Sequence, residues 1–220
     1  MKNIKCVIYD LDGVITETNE PHFLAWKELA DSLDIEIDRT FNETLKGVSR
    51  MDSLDRILIH GKKHNLFSPE QKEMLATKKN ENYVKMISQY TKQNLFPGVY
   101  KQLEYLRKNN IKIALGSASK NGPKLLKWME IFDFFDFIVD PSTVKGKPNP
   151  DIFLKASEVL NIPVENCIGI EDAVSGVQAI KSAKIYAVGI GDPEVLKQAD
   201  IIYQETQDVD FDYIDSLLNK

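Results

Sequence analysis

Two acid pairs and a few isolated polar groups in this 220-residue chain have the types and spacing of a reacting centre. Asp10 and Asp12 follow Cys6-Val7-Ile8-Tyr9, an apolar run of β-branched and aromatic residues that reads as a buried parallel strand. Residues two apart project to the same side where extended geometry persists. Glu171 and Asp172 end a second such run from Asn166, and Ser117 follows a third, Ile111–Gly116. Lys147 stands in Lys145-Gly146-Lys147-Pro148-Asn149-Pro150, a rigid loop carrying cations. Acids placed close together repel unless a cation or a shared proton offsets them. A few carboxylates completed by waters or phosphate oxygens suit Mg²⁺. Acids, Mg²⁺, a hydroxyl and a lysine around one point would serve phosphoryl transfer, whose catalysis is mostly positioning and charge stabilisation. An aspartate nucleophile needs no activating base, being ionised at pH 7. Taken alone, Asp10-Leu11-Asp12-Gly13 fits an acidic turn equally well.

These residues require a sheet whose strands end at one crevice, the place where open α/β folds bind ligands. After the first strand no β-like run appears for more than seventy residues. Helical spacing recurs instead. Pro21 opens a stretch with Phe23, Leu24, Trp26, Leu29 and Ala30, a short helix fits 39–45, and Leu54, Ile57 and Leu58 share a face over 52–59. Ser68-Pro69-Glu70-Gln71 starts a fourth helix, running to about residue 89, with an N-cap, a proline at the first position and a capping box. Four helices where one crossover would suffice predict an inserted helical cap. The fold class is α/β, a Rossmann-like doubly wound parallel sheet with an α-helical cap domain. Residues 1–15 and 94–220 form the core and 16–93 the cap, with hinges at 16–19 and 90–94. Further strands are expected at 131–139, 185–190 and 201–202, with a closing helix over 211–218. Val174, Val177, Ile180 and Ala183 read as the buried face of the helix after Asp172.

The loop Leu45-Lys46-Gly47-Val48-Ser49-Arg50 has two readings. One is a helix end with a glycine C-cap and a serine N-cap; the other is a ligand loop whose arginine grips a phosphate bidentately. Ser117-Ala118-Ser119-Lys120-Asn121 is a polar run at the start of a helix, fit for N-capping and for an anion alike. Lys78-Lys79-Asn80 reads as a solvated helix surface. His60 and His64 have metal-ligand spacing but no third ligand nearby, so they too read as solvated. Phe132, Phe134, Phe135 and Phe137 lack interleaved basic residues and read as core rather than as a base-stacking platform.

The net charge of −5 argues against nucleic acid as a partner. No apolar run reaches membrane-spanning length, and residues 1–5 leave no room for a signal peptide, so a cytoplasmic protein with no membrane partner is expected. Cys6 and Cys167 read as reduced apolar fillers on adjacent strands, since each stands four residues before an acid of the proposed site.

Asp10-Leu11-Asp12-Gly13-Val14, Ser117, Lys147 and Glu171-Asp172 together, in that order, resemble the four motifs of the haloacid dehalogenase superfamily of phosphotransferases. The resemblance implies that Asp10 is the nucleophile and Asp12 the general acid/base, with a carboxyl pKa raised by neighbouring acids. It implies that Asp10, the Asp12 carbonyl, Glu171 and Asp172 hold Mg²⁺, and that Ser117, the Ala118 N–H and Lys147 hold the transferring phosphate. The segments 10–26, 45–50, 79–86, 117–123 and 147–153 are similar to the sugar-phosphate mutases of that superfamily, over nearly the whole chain. That likeness implies a sugar-phosphate substrate and a monomer. It assigns Lys46, Gly47, Val48, Ser49 and Arg50, with Ser119, Lys120 and Asn121, to the phosphate that is not transferred. It places His22, Trp26 and Lys79 at the sugar and Thr18 at the hinge. The loop before Lys147 and the length between Ser32 and Phe41 depart from the mutase pattern. A phosphatase on the same fold shares the core acids and is the alternative activity; Arg50 and Lys79 distinguish the two.

Overall fold

The computed structural model describes residues 3–218. The outermost residues of the expected core segments, and of the run 1–5, therefore lie outside the described residues. Among those described, six strands form one parallel sheet: β1 (Cys6–Tyr9), β2 (Lys112–Leu115), β3 (Phe137–Ile138), β4 (Cys167–Glu171), β5 (Tyr186–Ile190) and β6 (Ile201–Tyr203). Their spatial order is β3-β2-β1-β4-β5-β6. The chain winds outward in both directions from β1, so the order reverses beside that strand and opens a crevice at its carboxyl end.

Alternation along β1 explains why both faces of the sheet are covered. Val7 and Tyr9 enter one apolar cluster with Leu103, Leu106, Leu125 and Ile214; Cys6 and Ile8 enter another with Phe153, Val177 and Ile180. The first face is packed by α5 (Val99–Lys108), α6 (Gly122–Trp128) and α9 (Phe211–Leu217), the second by α7 (Asp151–Leu160) and α8 (Val174–Ser182). Cys6 pairs with Cys167 and Tyr9 with Ile170, so β1 and β4 are in step and their acids emerge at one level. Both thiols are buried, and no disulfide joins them.

Between β1 and β2 lie α1 (Asn19–Asp31), α2 (Arg39–Glu43), α3 (Arg50–His60) and α4 (Pro69–Ile87). Trp26, Leu29, Ile35, Ile37, Leu54, Ile57, Leu58 and Ala76 give them an apolar cluster of their own. The capping box of α4 is formed as its sequence requires, with Ser68 and Gln71 each accepting the other's backbone N–H. The strands of chain leading into and out of this bundle lie side by side: Phe96 N–H donates to the Ile15 carbonyl at 2.9 Å, Thr16 Oγ1 to the Asn94 carbonyl at 2.6 Å and Tyr90 OH to the Glu17 carbonyl at 2.7 Å.

Several local expectations are corrected. The aromatic run 131–139 yields only the two-residue β3, because a 3-10 turn at Phe132–Phe134 takes its first half. Helix α6 begins at Gly122, so Ser117–Lys120 form a loop ahead of it, and Asn121 makes no side-chain cap. Helix α2 closes on Thr44; Gly47, with φ +70°, lies beyond it and turns the following loop rather than capping a helix. Val174 is exposed, and Val177, Ala179 and Ile180 cover the sheet instead. Lys79 is 2% exposed and belongs to the buried stripe Ala76, Lys79, Tyr83 and Ile87 of α4, so it is no surface lysine. Among the described residues no helix is long and apolar enough to cross a membrane.

Candidate active site

The crevice at the carboxyl ends of β1 and β4 gathers the core acids. Asp10 is 4% exposed and Glu171 is fully buried. One carboxylate oxygen from each of Asp10, Glu171 and Asp172 lies within 4.8 Å of the others. Lys147, itself 2% exposed, donates to Asp10 Oδ1 at 2.5 Å and to Glu171 Oε1. Asp10 Oδ2 accepts the Asp12 N–H at 3.0 Å, Glu171 Oε2 accepts the Ala173 N–H at 3.1 Å, and Asp172 Oδ2 accepts from Asn19 Nδ2 at 3.0 Å.

Burial and the neighbouring negative charges push the Asp10 carboxyl well above the usual range against the pull of Lys147. Burial and Glu171 raise Asp172 to about 7. The buried ammonium of Lys147 is itself strained by burial, but Asp10 and Glu171 hold it charged, above its ordinary value. Three hard oxygen donors, crowded together with the Asp10 and Asp172 carboxyls pushed up and one cation already drawn in, fit a divalent ion of the Mg²⁺ type.

The Asp12 carboxylate faces the other way. Its Oδ1 accepts from Thr18 Oγ1 and lies 3.6 Å from His22 Nε2. Burial would raise its pKa, but His22 and Thr18 outweigh burial and hold it below the carboxylate range. The expected upward shift is therefore corrected: Asp12 pairs with the cap instead of with its sister acids. His22 in turn is 2.8 Å from Lys79 Nζ through Nδ1 and stacks on Tyr83 at 3.9 Å. While Lys79 is charged it can only donate, so Nδ1 then accepts and the imidazole N–H sits on Nε2, toward Asp12. Burial, then Lys79, depress the His22 pKa; burial, then Arg50, bring Lys79 down to about 7. The Lys79 ammonium also lies 4.5 Å from the Trp26 ring centroid.

The cap loop rests on the core. Ser175 Oγ donates to the Lys46 carbonyl at 2.9 Å, and a Cβ built on Gly47 would stand 2.6 Å from that Oγ. Only a residue free of a side chain and at ease with φ +70° fits there. Asp10, Asp12, His22, Trp26, Lys46, Gly47, Val48, Arg50, Lys79, Ala118, Ser119, Lys120, Asn121 and Asp172 line one cleft between cap and core. Of the remaining expected site residues, Ser117, Lys147 and Glu171 lie buried behind that wall. Thr18 is also fully buried, and Ser49 spends its hydroxyl on the N-cap of α3 and on Asp52 at 2.6 Å. Ser117 Oγ accepts the Ser119 N–H at 3.1 Å, which shapes the loop before α6.

Sequence reasoning missed Asn19, Asn42, Ser53, Asn80 and Tyr83. Asn80 accepts from Arg50 Nη2 at 2.8 Å and from Asn121 Nδ2 at 2.9 Å. The steps of three and four from Ala76 to Lys79, Tyr83 and Ile87 mark the inward stripe of α4 and would have exposed Lys79 and Tyr83. Asn42 and Ser53 carry no such signal.

The haloacid dehalogenase-like hydrolase family matches residues 4–184. The chain is 47% identical to the β-phosphoglucomutase of Bacillus subtilis (strain 168), over 94% of this chain and 92% of that protein. It is 30% identical to a phosphorylated carbohydrates phosphatase of Thermotoga maritima, over 89% and 91%. The crystal structure of β-phosphoglucomutase from Clostridium difficile superposes with a TM-score of 0.96 at 47% identity, covering 98% of this chain and 97% of that one.

Proposed function

The chain belongs to the haloacid dehalogenase-like hydrolase family, and from that premise we propose how its site works as a β-phosphoglucomutase. The protein interconverts β-D-glucose 1-phosphate and D-glucose 6-phosphate through an aspartyl-phosphate and β-glucose 1,6-bisphosphate. The observation that carries the reading is a cleft with phosphate-binding chemistry at two ends: Asp10 and Ala118 in the core, backed by the buried Ser117 and Lys147, and Arg50 with Ser119, Lys120 and Asn121 where the cap meets it.

Asp10, Glu171 and Asp172, with the Asp12 carbonyl, would hold Mg²⁺, which would offset the charge of the transferring phosphoryl group. Phosphorylated Asp10 gives its phosphoryl group to the C6 hydroxyl as the P–O bond to Asp10 breaks. Asp12, kept ionised by Thr18 and His22, takes the hydroxyl proton. The bisphosphate then presents its other end; Asp10 forms a new P–O bond, the C1 oxygen leaves, and Asp12 returns the proton. The low pKa of Asp12 thus suits the first half, and the proton needed for the second comes from the substrate. Ser117, the Ala118 N–H and Lys147 hold the phosphoryl oxygens, and the His22–Lys79 pair ties Asp12 to the cap.

Residues 16–93 act as a lid on 1–15 and 94–220, pivoting at 16–19 and 90–94. Closure on a sugar phosphate excludes water, and water alone lacks the second phosphate that would draw the lid shut. The reading extends to a cytoplasmic monomer. One chain supplies the lining of the cleft, and Cys6 and Cys167 are buried free thiols with no disulfide between them. Arg50→Ala tests the lid. Mutase turnover should fall much more than phosphoenzyme hydrolysis, lowering their ratio at least roughly tenfold, since a hydrogen bond to a charged group is lost. Equal losses in both rates would show that Arg50 does not select sugar over water.

A further inference from the structure

Asn80 is assigned to neither end of the reaction, yet it joins both halves of the proposed distal phosphate site. Its Oδ1 receives Arg50 Nη2 at 2.8 Å from the first residue of α3, and Asn121 Nδ2 at 2.9 Å from the residue before α6. The orientation of the amide is forced chemically. Arginine only donates, so Asn80 must turn its oxygen to Arg50, and Asn121 must then present its amino group to that same oxygen. Two donors, one from the cap and one from the core, are aimed at a single acceptor.

We infer that Asn80 is a positioning residue for the phosphate that is not transferred, acting through Arg50 and Asn121; this rests on the mutase reading above. Asn80 takes one of the five guanidinium N–H groups and one of the two amide N–H groups. The others are left for an anion in the cleft that both residues line. An anion that meets such donors does not have to order them, and the ordering cost is removed from binding. Helix α4 thereby serves both ends of the substrate with adjacent residues: Lys79 toward His22 and Asp12, Asn80 toward Arg50 and Asn121.

The test is a double-mutant cycle on glucose 6-phosphate affinity, measured by calorimetry for the wild type, Asn80→Ala, Arg50→Ala and the double variant. Asn80→Ala should weaken binding roughly tenfold in the wild-type background and by a clearly smaller factor once Arg50 is gone, because only the part acting through Asn121 then remains. Alanine is the better helix former, so α4 should persist; if Asn80→Ala does not fold, Asn80→Ser carries the same cycle. Additive losses, or no loss in the single variant, overturn the inference and leave wild-type turnover, hence the mutase reading, untouched. A wild type that releases phosphate without isomerising, but shows the non-additive cycle, overturns the mutase reading alone.

Discussion

Asp10 and Asp12 stand two residues apart, yet the fold gives them opposite surroundings. Asp10 is buried with Lys147, Glu171 and Asp172; Asp12 is turned to Thr18 and His22. They should therefore fail differently. Asp10→Asn abolishes phosphoenzyme formation. Asp12→Asn keeps the nucleophile and loses proton transfer, at a cost of roughly 10²–10⁴ in turnover, and wild-type turnover in that variant at every pH would contradict the assignment. Lys79 gives a second residue-level prediction. Burial, then Arg50, lower it from 10.5 to about 7, so between those values the unfolded chain is protonated where the folded one is not. The unfolded state binds more protons, and this group's contribution to stability rises with pH across that window. Lys79→Met should remove that slope and stabilise the protein most at or below pH 7, as followed by denaturant unfolding at several pH values. In the native enzyme a bound phosphate dianion favours the charged lysine. At pH 8 glucose 6-phosphate should then bind with proton uptake, seen by calorimetry in buffers of different ionisation enthalpy. Uptake that persists in Lys79→Met would exclude Lys79 as its source.

The elements that bring these residues together were readable to different degrees, for physical reasons. Strands β1 and β4 announce themselves as apolar runs because both faces of a parallel sheet are buried, and their common register follows from the equal spacing of Cys6 to Asp10 and Cys167 to Glu171. Native protein should accordingly show no fast-reacting thiol in a titration; two fast groups would contradict the burial of Cys6 and Cys167. Strand β3 was overestimated, because an aromatic run looks alike whether it forms a strand or packs as a 3-10 turn. Lys79 and Asn80 were misjudged because a charge on a helix is usually solvated, and nothing local reveals a cleft on that side. The pivotal contact of the cap loop was hidden too: Gly47 reads as a helix end, and its closeness to Ser175 exists only once cap meets core. Gly47→Ala should cost about 1–3 kcal/mol where φ is positive. It should also lower mutase kcat/KM by displacing the loop. Unchanged kinetics would mean that this contact does not matter for closure.

On the scale of the whole molecule, the sheet order fixes where acids converge and the inserted helices decide what may reach them. The core acids were legible from strand ends alone. They do not by themselves separate a mutase from a phosphatase, because both need the same nucleophile and the same charge balance. On the proposed reading the difference lies in groups from separate elements, Arg50, Asn80, Lys79 and Asn121, which line one cleft only once the cap has folded. The central claim is that this closed, two-ended cleft passes the phosphoryl group to sugar in preference to water. It is tested by supplying the enzyme with β-glucose 1-phosphate, Mg²⁺ and a trace of glucose 1,6-bisphosphate, and following glucose 6-phosphate and free phosphate in the same reaction. Glucose 6-phosphate should accumulate much faster than free phosphate; release of phosphate faster than formation of glucose 6-phosphate would contradict the account.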